Sequence, residues 1–185
     1  MRLKRRVMFS AGHAYWLVGL TDEQNKALFG RWASPYGHGH NYTVEVTFEG
    51  AVDPVTGMIV NIVDIDRWVL QASLELIRNR RAEGRPLRLF VTQSALTLAD
   101  PAQAAWLKAE LTAHDVPGNS LVIELRLEDA AIHATTVRAF CDAMVDDGVQ
   151  FCLSQFEAGQ HAEGLIEQLP LSFVKLARKY TTNSL

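Results

Sequence analysis

Asp64-Ile65-Asp66-Arg67-Trp68-Val69-Leu70 marks the point at which the sequence changes its period. Upstream the apolar residues alternate. Tyr42-Thr43-Val44-Glu45-Val46-Thr47-Phe48-Glu49 has period two, so one face of a strand is buried and the other wet. Asp53-Pro54-Val55-Thr56-Gly57 is a turn cluster, because proline fixes φ and glycine admits positive φ. Met58-Ile59-Val60-Asn61-Ile62-Val63 resumes as a strand, and the two are predicted to form an antiparallel hairpin with Thr47 to Gly57 near its tip. Arg6 to Ala11 reads as a shorter strand, and Leu20 to Gly39 is too rich in turn formers to be core.

Downstream of residue 65 helix and strand alternate. Asp66 is the expected cap of a helix over Arg67 to Arg81, with Trp68, Leu70, Ala72, Leu74 and Ile77 apolar. Strands are expected at Leu87–Val91, Ser120–Leu125, Gln150–Leu153 and Ser172–Leu176. Helices are expected after Asp100-Pro101, continuing through Ala104–Ala113, then over Thr135–Asp147 with Gly148 as the C-terminal cap, and over Ala162–Gln168. Repeated βα units imply parallel strands joined by right-handed crossovers.

The chain has 185 residues and a mass of 20.6 kDa, enough for one medium domain or two halves sharing a core. A formal charge of -3 excludes the basic footprint of a protein that binds nucleic acid polymers. No run approaches the roughly 20 apolar residues needed to span a bilayer, so no membrane partner is expected. The basic Met1–Arg6 stretch is not followed by a signal-peptide core. Cys141 and Cys152 fall on different elements and suit a reducing cytoplasm.

The chemistry concentrates in the first forty residues. His38 and His40 are two apart in Gly37-His38-Gly39-His40-Asn41-Tyr42, so on extended backbone both imidazoles share a face. His13, from the neighbouring strand, would supply a third nitrogen. Three neutral imidazoles with an open fourth position make a zinc site of the catalytic kind. The alternative for a bare His-x-His is unrelated loop histidines. His114, His133 and His161 are scattered on helix ends and loops and read as surface residues.

Phe9-Ser10-Ala11-Gly12-His13, Phe29-Gly30-Arg31-Trp32-Ala33-Ser34-Pro35-Tyr36-Gly37-His38-Gly39-His40-Asn41-Tyr42 and Asp53-Pro54-Val55-Thr56-Gly57-Met58-Ile59-Val60-Asn61 together resemble the 6-pyruvoyl-tetrahydropterin synthase family. The resemblance covers residues 5 to 65. It implies that His13, His38 and His40 hold Zn2+, that the ligand is a pterin, and that the chain forms a homo-oligomer. In that family the zinc polarises the side-chain hydroxyls of dihydroneopterin triphosphate for proton transfer and triphosphate loss. The family's cysteine base, six residues before the second zinc histidine, is replaced here by Trp32, and its later Leu-Asp-His relay and pterin-anchoring glutamate have no counterpart after residue 65. The resemblance therefore implies a retained metal site with lost or weak lyase activity.

A second resemblance begins at Asp64. Asp64–Leu70, Arg88-Leu89-Phe90-Val91-Thr92-Gln93-Ser94, Leu121–Leu125, Cys152-Leu153-Ser154-Gln155-Phe156-Glu157-Ala158-Gly159 and Leu169–Leu176 resemble the EAL family of cyclic di-GMP phosphodiesterases, whose catalytic groups lie at the C-terminal ends of barrel strands. The opening strands that bear the Glu-Ala-Leu signature are missing, as are the last ones. Thr92 stands for the family's metal-binding Asn, Ser154-Gln155 for its Asp-Asp pair and Leu127 for a second acid, whereas Glu124 and Lys175 match the family. Two-metal hydrolysis needs several converging carboxylates, so phosphodiesterase activity is not expected. Glu124 and Lys175 read either as residual ligand-binding residues or as a buried polar pair.

The sequence thus reads as a mosaic of mixed α+β and α/β class. Residues 1–65 are expected to be a T-fold-like antiparallel half-domain that binds zinc, and residues 66–185 a degenerate parallel βα segment of a TIM-type barrel. The expected partner is a small molecule, a pterin or a cyclic dinucleotide. The alternative function is a signalling module that binds cyclic di-GMP or a protein and has no enzymatic activity.

Overall fold

The computed structural model describes residues 1–36 and 38–180, without the side chains of residues 7–13, 38, 41, 160 and 161. Its strands are β1 (Arg2–His13), β2 (His38–Glu49), β3 (Leu89–Thr92), β4 (Leu121–Arg126), β5 (Gln150–Phe156) and β6 (Phe173–Leu176). They form one sheet in the order β2-β1-β3-β4-β5-β6. The helices are α1 (Asp22–Phe29), α2 (Ile62–Ala82), α3 (Ala95–Leu98), α4 (Gln103–Ala113), α5 (Leu127–Ile132), α6 (Ala134–Val145) and α7 (Gln160–Gln168).

β3 to β6 run parallel, as the alternation of strand and helix requires. β4 is buried over Leu121–Leu125 and apolar there except at Glu124, which is the signature of a strand covered on both faces. Leu89, Val91, Leu121, Ile123, Leu125, Phe151 and Leu153 project from the sheet into one core with Leu70, Leu74 and Ile77 of α2, Leu107 of α4, Phe140 and Met144 of α6, and Leu165 of α7. The opposite face carries Phe90, Thr92, Glu124, Cys152, Phe173 and Lys175, by the parity of the same strands. Gly148 follows α6 with φ +81°, the left-handed backbone expected of its capping role. Gly118 is forced for a different reason: a Cβ there would lie 2.0 Å from the Asp147 carbonyl oxygen.

β1 joins the two kinds of sheet. It pairs antiparallel with β2 along its whole length and antiparallel with β3 at Phe9, Ser10 and Ala11. The partner of β2 is therefore β1, and the expected hairpin between 42–49 and 58–63 does not form. The physical reason lies at Asn61, whose side-chain oxygen accepts a hydrogen bond from the Val63 N–H at 3.0 Å and opens α2 at Ile62. Residues 62 and 63 are spent on the first turn of a helix rather than on a strand. Asp66, expected as the cap, sits inside that helix and is buried. The expected division of the chain after residue 65 consequently falls within α2.

Within the stretch from Leu20 to Gly39, residues 20–32 are more ordered than their composition suggests. Thr21 and Gln24 close a capping box on α1. Asn25 is fully buried: its oxygen accepts from Leu17 N–H at 2.8 Å, and its amide donates to the carbonyls of Leu17, Leu20 and Thr21. One side chain thus satisfies a turn of backbone that would otherwise need water. α5 begins at Leu127, directly after β4, where no helix is expected from the sequence.

Candidate functional site

The first candidate is built by the β1–β2 ladder. His13 stands opposite His38, Gly12 opposite Gly39 and Ala11 opposite His40. Opposite residues of an antiparallel pair share a sheet face, as do residues two apart in one strand. The three histidines therefore occupy register positions of one face at one end of the ladder. The side chains of His13 and His38 lie outside the described residues. His40 is exposed, its ring 6.1 Å from that of Tyr42. Among the described residues no three His, Cys, Asp or Glu side chains gather as a metal site.

Trp32 is 56% exposed, and the Arg31 guanidinium lies 4.7 Å from its ring centroid. An indole offers one N–H and no lone pair for a proton. Tyr15, which bridges to Ala33, packs ring to ring with Phe29 at 5.8 Å.

The second candidate lies at the C-terminal ends of the parallel strands. Thr92, Glu124 and Cys152 align across β3, β4 and β5. Lys175 reaches back from β6 and donates to the Glu124 carboxylate, forming an ion pair whose acid is 8% exposed and whose base is 32% exposed. The ammonium also lies 4.6 Å from the centroid of Phe90, whose ring meets Phe173 edge-on at 5.0 Å. The structure thus brings together the two residues singled out in the sequence. Burial, with the Glu124 carboxylate nearby, pushes the Cys152 thiol up to about 12, so it stays protonated.

Ser154 and Gln155 occupy a bulge in which one extra residue of β5 is inserted opposite β6. Gln155 has φ +57° and is exposed, and Ser154 turns its hydroxyl to donate to the Leu125 carbonyl at 3.2 Å. Neither side chain offers a carboxylate to a cation. His114 is held beside Glu110, with 3.5 Å between Nε2 and Oε2. His133 closes α5, and the His161 side chain lies outside the described residues.

A polar cluster at the start of α2 was not expected from the sequence. Asp66 accepts from Arg5 Nη2 at 3.2 Å, from the Ser94 N–H at 3.1 Å and from the Thr97 hydroxyl at 2.6 Å. Gln93, buried beside it, donates to the carbonyls of Asp66 and Thr92. The signal was present in the helical period: Asp66 lies four and eight residues before Leu70 and Leu74, on the face that becomes core.

Two families match this chain. Residues 2–80 match 6-pyruvoyl tetrahydropterin synthase, and residues 59–185 match the EAL domain. The 6-pyruvoyl tetrahydrobiopterin synthase of Homo sapiens is 39% identical over 82 residues, which is 44% of this chain and 57% of that protein. The chain thus spans little more than half the length of such curated relatives. Among solved structures, the FimX EAL domain superposes with a TM-score of 0.69 at 20% identity, covering 97% of this chain and 68% of that one. The Xanthomonas citri FimX EAL domain in complex with c-diGMP gives 0.62 at 24% identity, covering 66% of this chain and 48% of that one. At those identities the likeness establishes the fold: a partial βα barrel. By the extent of the match over 59–185 the chain belongs to the EAL domain family, and it carries at its N-terminal end a segment that resembles the 6-pyruvoyl tetrahydropterin synthases.

Proposed function

We propose that this chain is a zinc-binding, 6-pyruvoyl-tetrahydropterin synthase-like protein whose lyase activity is lost or weak, fused to an EAL-like segment that does not hydrolyse cyclic di-GMP. The observation that carries the reading is the strand register in which His13, His38 and His40 share one face. Three imidazoles with no competing carboxylate are the donor chemistry that zinc prefers, and they leave one position open. When bound there, zinc supplies Lewis acidity toward the hydroxylated side chain of a pterin. His13, His38 and His40 hold the ion, and Trp32 neither takes nor returns a proton. Residues 1–65 form the T-fold-like half in this reading and residues 66–185 the degenerate EAL-like segment, in a cytoplasmic homo-oligomer. The test is the metal content of the purified chain: about one zinc per chain, lost in His38→Ala, supports the reading, and an unchanged content in that variant overturns it.

A second reading concerns the EAL-like segment, and the Glu124–Lys175 pair favours it. The FimX EAL domain of Xanthomonas citri is in complex with c-diGMP. Here the one acid retained at the strand ends is neutralised by its own lysine. That arrangement suits binding of a cyclic dinucleotide through stacking and phosphate contacts better than capture of cations for hydrolysis. Calorimetry with cyclic di-GMP separates the two: binding without linear product supports this second reading, and absence of heat removes it.

A further inference from the structure

β2 forms one border of the sheet, and among the described residues no strand pairs with its outer side. Its main chain is nonetheless set for pairing. Met1 and Gly50 exchange two hydrogen bonds, the terminal amine to the Gly50 carbonyl at 3.1 Å and the Gly50 N–H to the Met1 carbonyl at 3.3 Å. Such doubly bonded pairs alternate along an antiparallel ladder, so Leu3–Phe48, Arg5–Val46 and Val7–Val44 are the next ones in the register. The N–H and C=O groups of Thr43, Glu45, Thr47 and Glu49 therefore point outward. The strand is long and regular, and such an edge is a template for another strand.

The side chains beside this edge are also incomplete. Val44, Val46 and Phe48 turn toward α2, where they border an apolar groove with Trp68, Ala72 and Leu76. Trp68 is 60% exposed and Leu76 41%. The other face of β2 is charged and satisfied within the chain: Glu49 meets Arg2 at 3.1 Å, and Glu45 meets Lys4 at 2.7 Å and Arg6 at 3.6 Å.

We propose that β2 pairs antiparallel with β2 of a second copy of this chain, about a two-fold axis at Val46. The sequence is self-complementary in that register. Val46 faces Val46, Val44 faces Phe48, Glu45 faces Thr47 and Thr43 faces Glu49, so no glutamate faces a glutamate. β-branched and aromatic residues opposite one another are favoured pairs, and like charges opposite one another are disfavoured. Moving the axis to Glu45 sets Glu45 against Glu45, and moving it to Thr47 sets Glu45 against Glu49. An axis at Val44 sets Phe48 against the polar His40. A two-fold contact is isologous, so the Trp68–Leu76 side of α2 meets its own copy across the axis and the groove is covered. The proposal rests on the homo-oligomeric part of the function proposed above and names its surface.

The test uses the whole chain in sedimentation velocity across a concentration series. A dimer is expected, and Thr47→Pro is expected to shift it to monomer with an unchanged far-UV spectrum. Proline removes an outward N–H that the ladder with β1 does not use, and edge strands accept it. A chain that is monomeric at every concentration overturns both the oligomer and the surface. A dimer that survives Thr47→Pro with native spectrum overturns the surface alone. Oxidative cross-linking decides independently of how well the proline variant folds. Val46→Cys is expected to form a disulfide between copies, and Val44→Cys is not; the reverse pattern overturns the axis at Val46. Cys141 and Cys152 are buried and do not compete.

Discussion

Arg5 of β1 and Asp66 of α2 form an ion pair of 3.2 Å in which the carboxylate is 2% exposed and the guanidinium 30%. Each is the misfit of its own element. Arg5 lies on the strand face that carries Leu3 and turns toward α2, and Asp66 lies on the helix face of Leu70 and Leu74. Buried charge is tolerated only when paired and hydrogen-bonded, and Asp66 has three donors. The pair links β1, from the pterin-synthase-like segment, to the turn that follows β3 of the EAL-like segment.

Asp66→Ala is expected to cost about 3 kcal/mol of stability, since it strands the guanidinium and two further donors at once. Arg5→Met should cost a comparable amount, because it leaves a carboxylate that is 2% exposed with the Ser94 and Thr97 hydrogen bonds but no counter-charge. Urea unfolding of the two single variants and the double variant measures the coupling. An additive double variant would show that the two residues do not act as a pair.

His40→Ala and His13→Ala should each lower zinc content, as is expected of His38→Ala. Elemental analysis of protein purified without added metal checks this. Loss in all three variants is the expected outcome, with unchanged secondary structure.

Synthase turnover of dihydroneopterin triphosphate should be absent or far below the ~1 to 10³ per second typical of enzymes. General-base catalysis is worth about 10² to 10⁴ in rate, and Trp32 cannot supply it. Release of triphosphate at an ordinary enzymatic rate would reveal a replacement base.

Cyclic di-GMP incubated with magnesium or manganese should remain cyclic. Thr92, Ser154, Gln155 and Leu127 offer no carboxylate, and Lys175 neutralises Glu124. Linear product that disappears in Glu124→Ala would overturn this. Lys175→Ala should also destabilise the fold by about 2 kcal/mol, because it leaves a buried acid without its partner. The partial exposure of the lysine keeps that figure below the value for a fully buried pair.

Burial pushes both the Cys141 and the Cys152 thiols up to about 12 from an ordinary 9.0. The unfolded chain thus loses these protons first as pH rises. Their contribution to stability is complete below pH 9.0 and is lost on the way to about pH 12. Alkaline melts should show a falling midpoint above pH 9.0, and Cys141→Ala with Cys152→Ala should flatten that limb. Thiol reagents should not label either residue in the native protein at neutral pH.

Local pattern made much of this fold legible. The four parallel strands follow from short, mostly apolar runs such as Leu121–Leu125, whose single charge, Glu124, is itself buried. The pairing of Glu124 with Lys175 was within reach because both lie on strands of the same parity. What local pattern missed is decided between distant residues. Met58–Val63 is as apolar as a strand, but its would-be partner β2 is taken by β1, and Asn61 gives the segment a helix start instead. Asn25 is polar in composition and buried in fact, since its value lies in the backbone groups it satisfies. The His-x-His spacing and the family resemblance group the three histidines in the sequence, whereas the register that sets them on one face is specified by no short stretch.

Both family matches include residues 59–80, and α2 runs unbroken through them from Ile62 to Ala82. At about 1.5 Å per residue this is a rod some 30 Å long. The stretch shared by the two matches is therefore mostly one continuous helix, with no tether to lengthen or shorten. A displacement at the histidine end of β1 passes to β3 through the ladder at Phe9, Ser10 and Ala11, and to that rod through Asp66, which grips Arg5 and Ser94 at once.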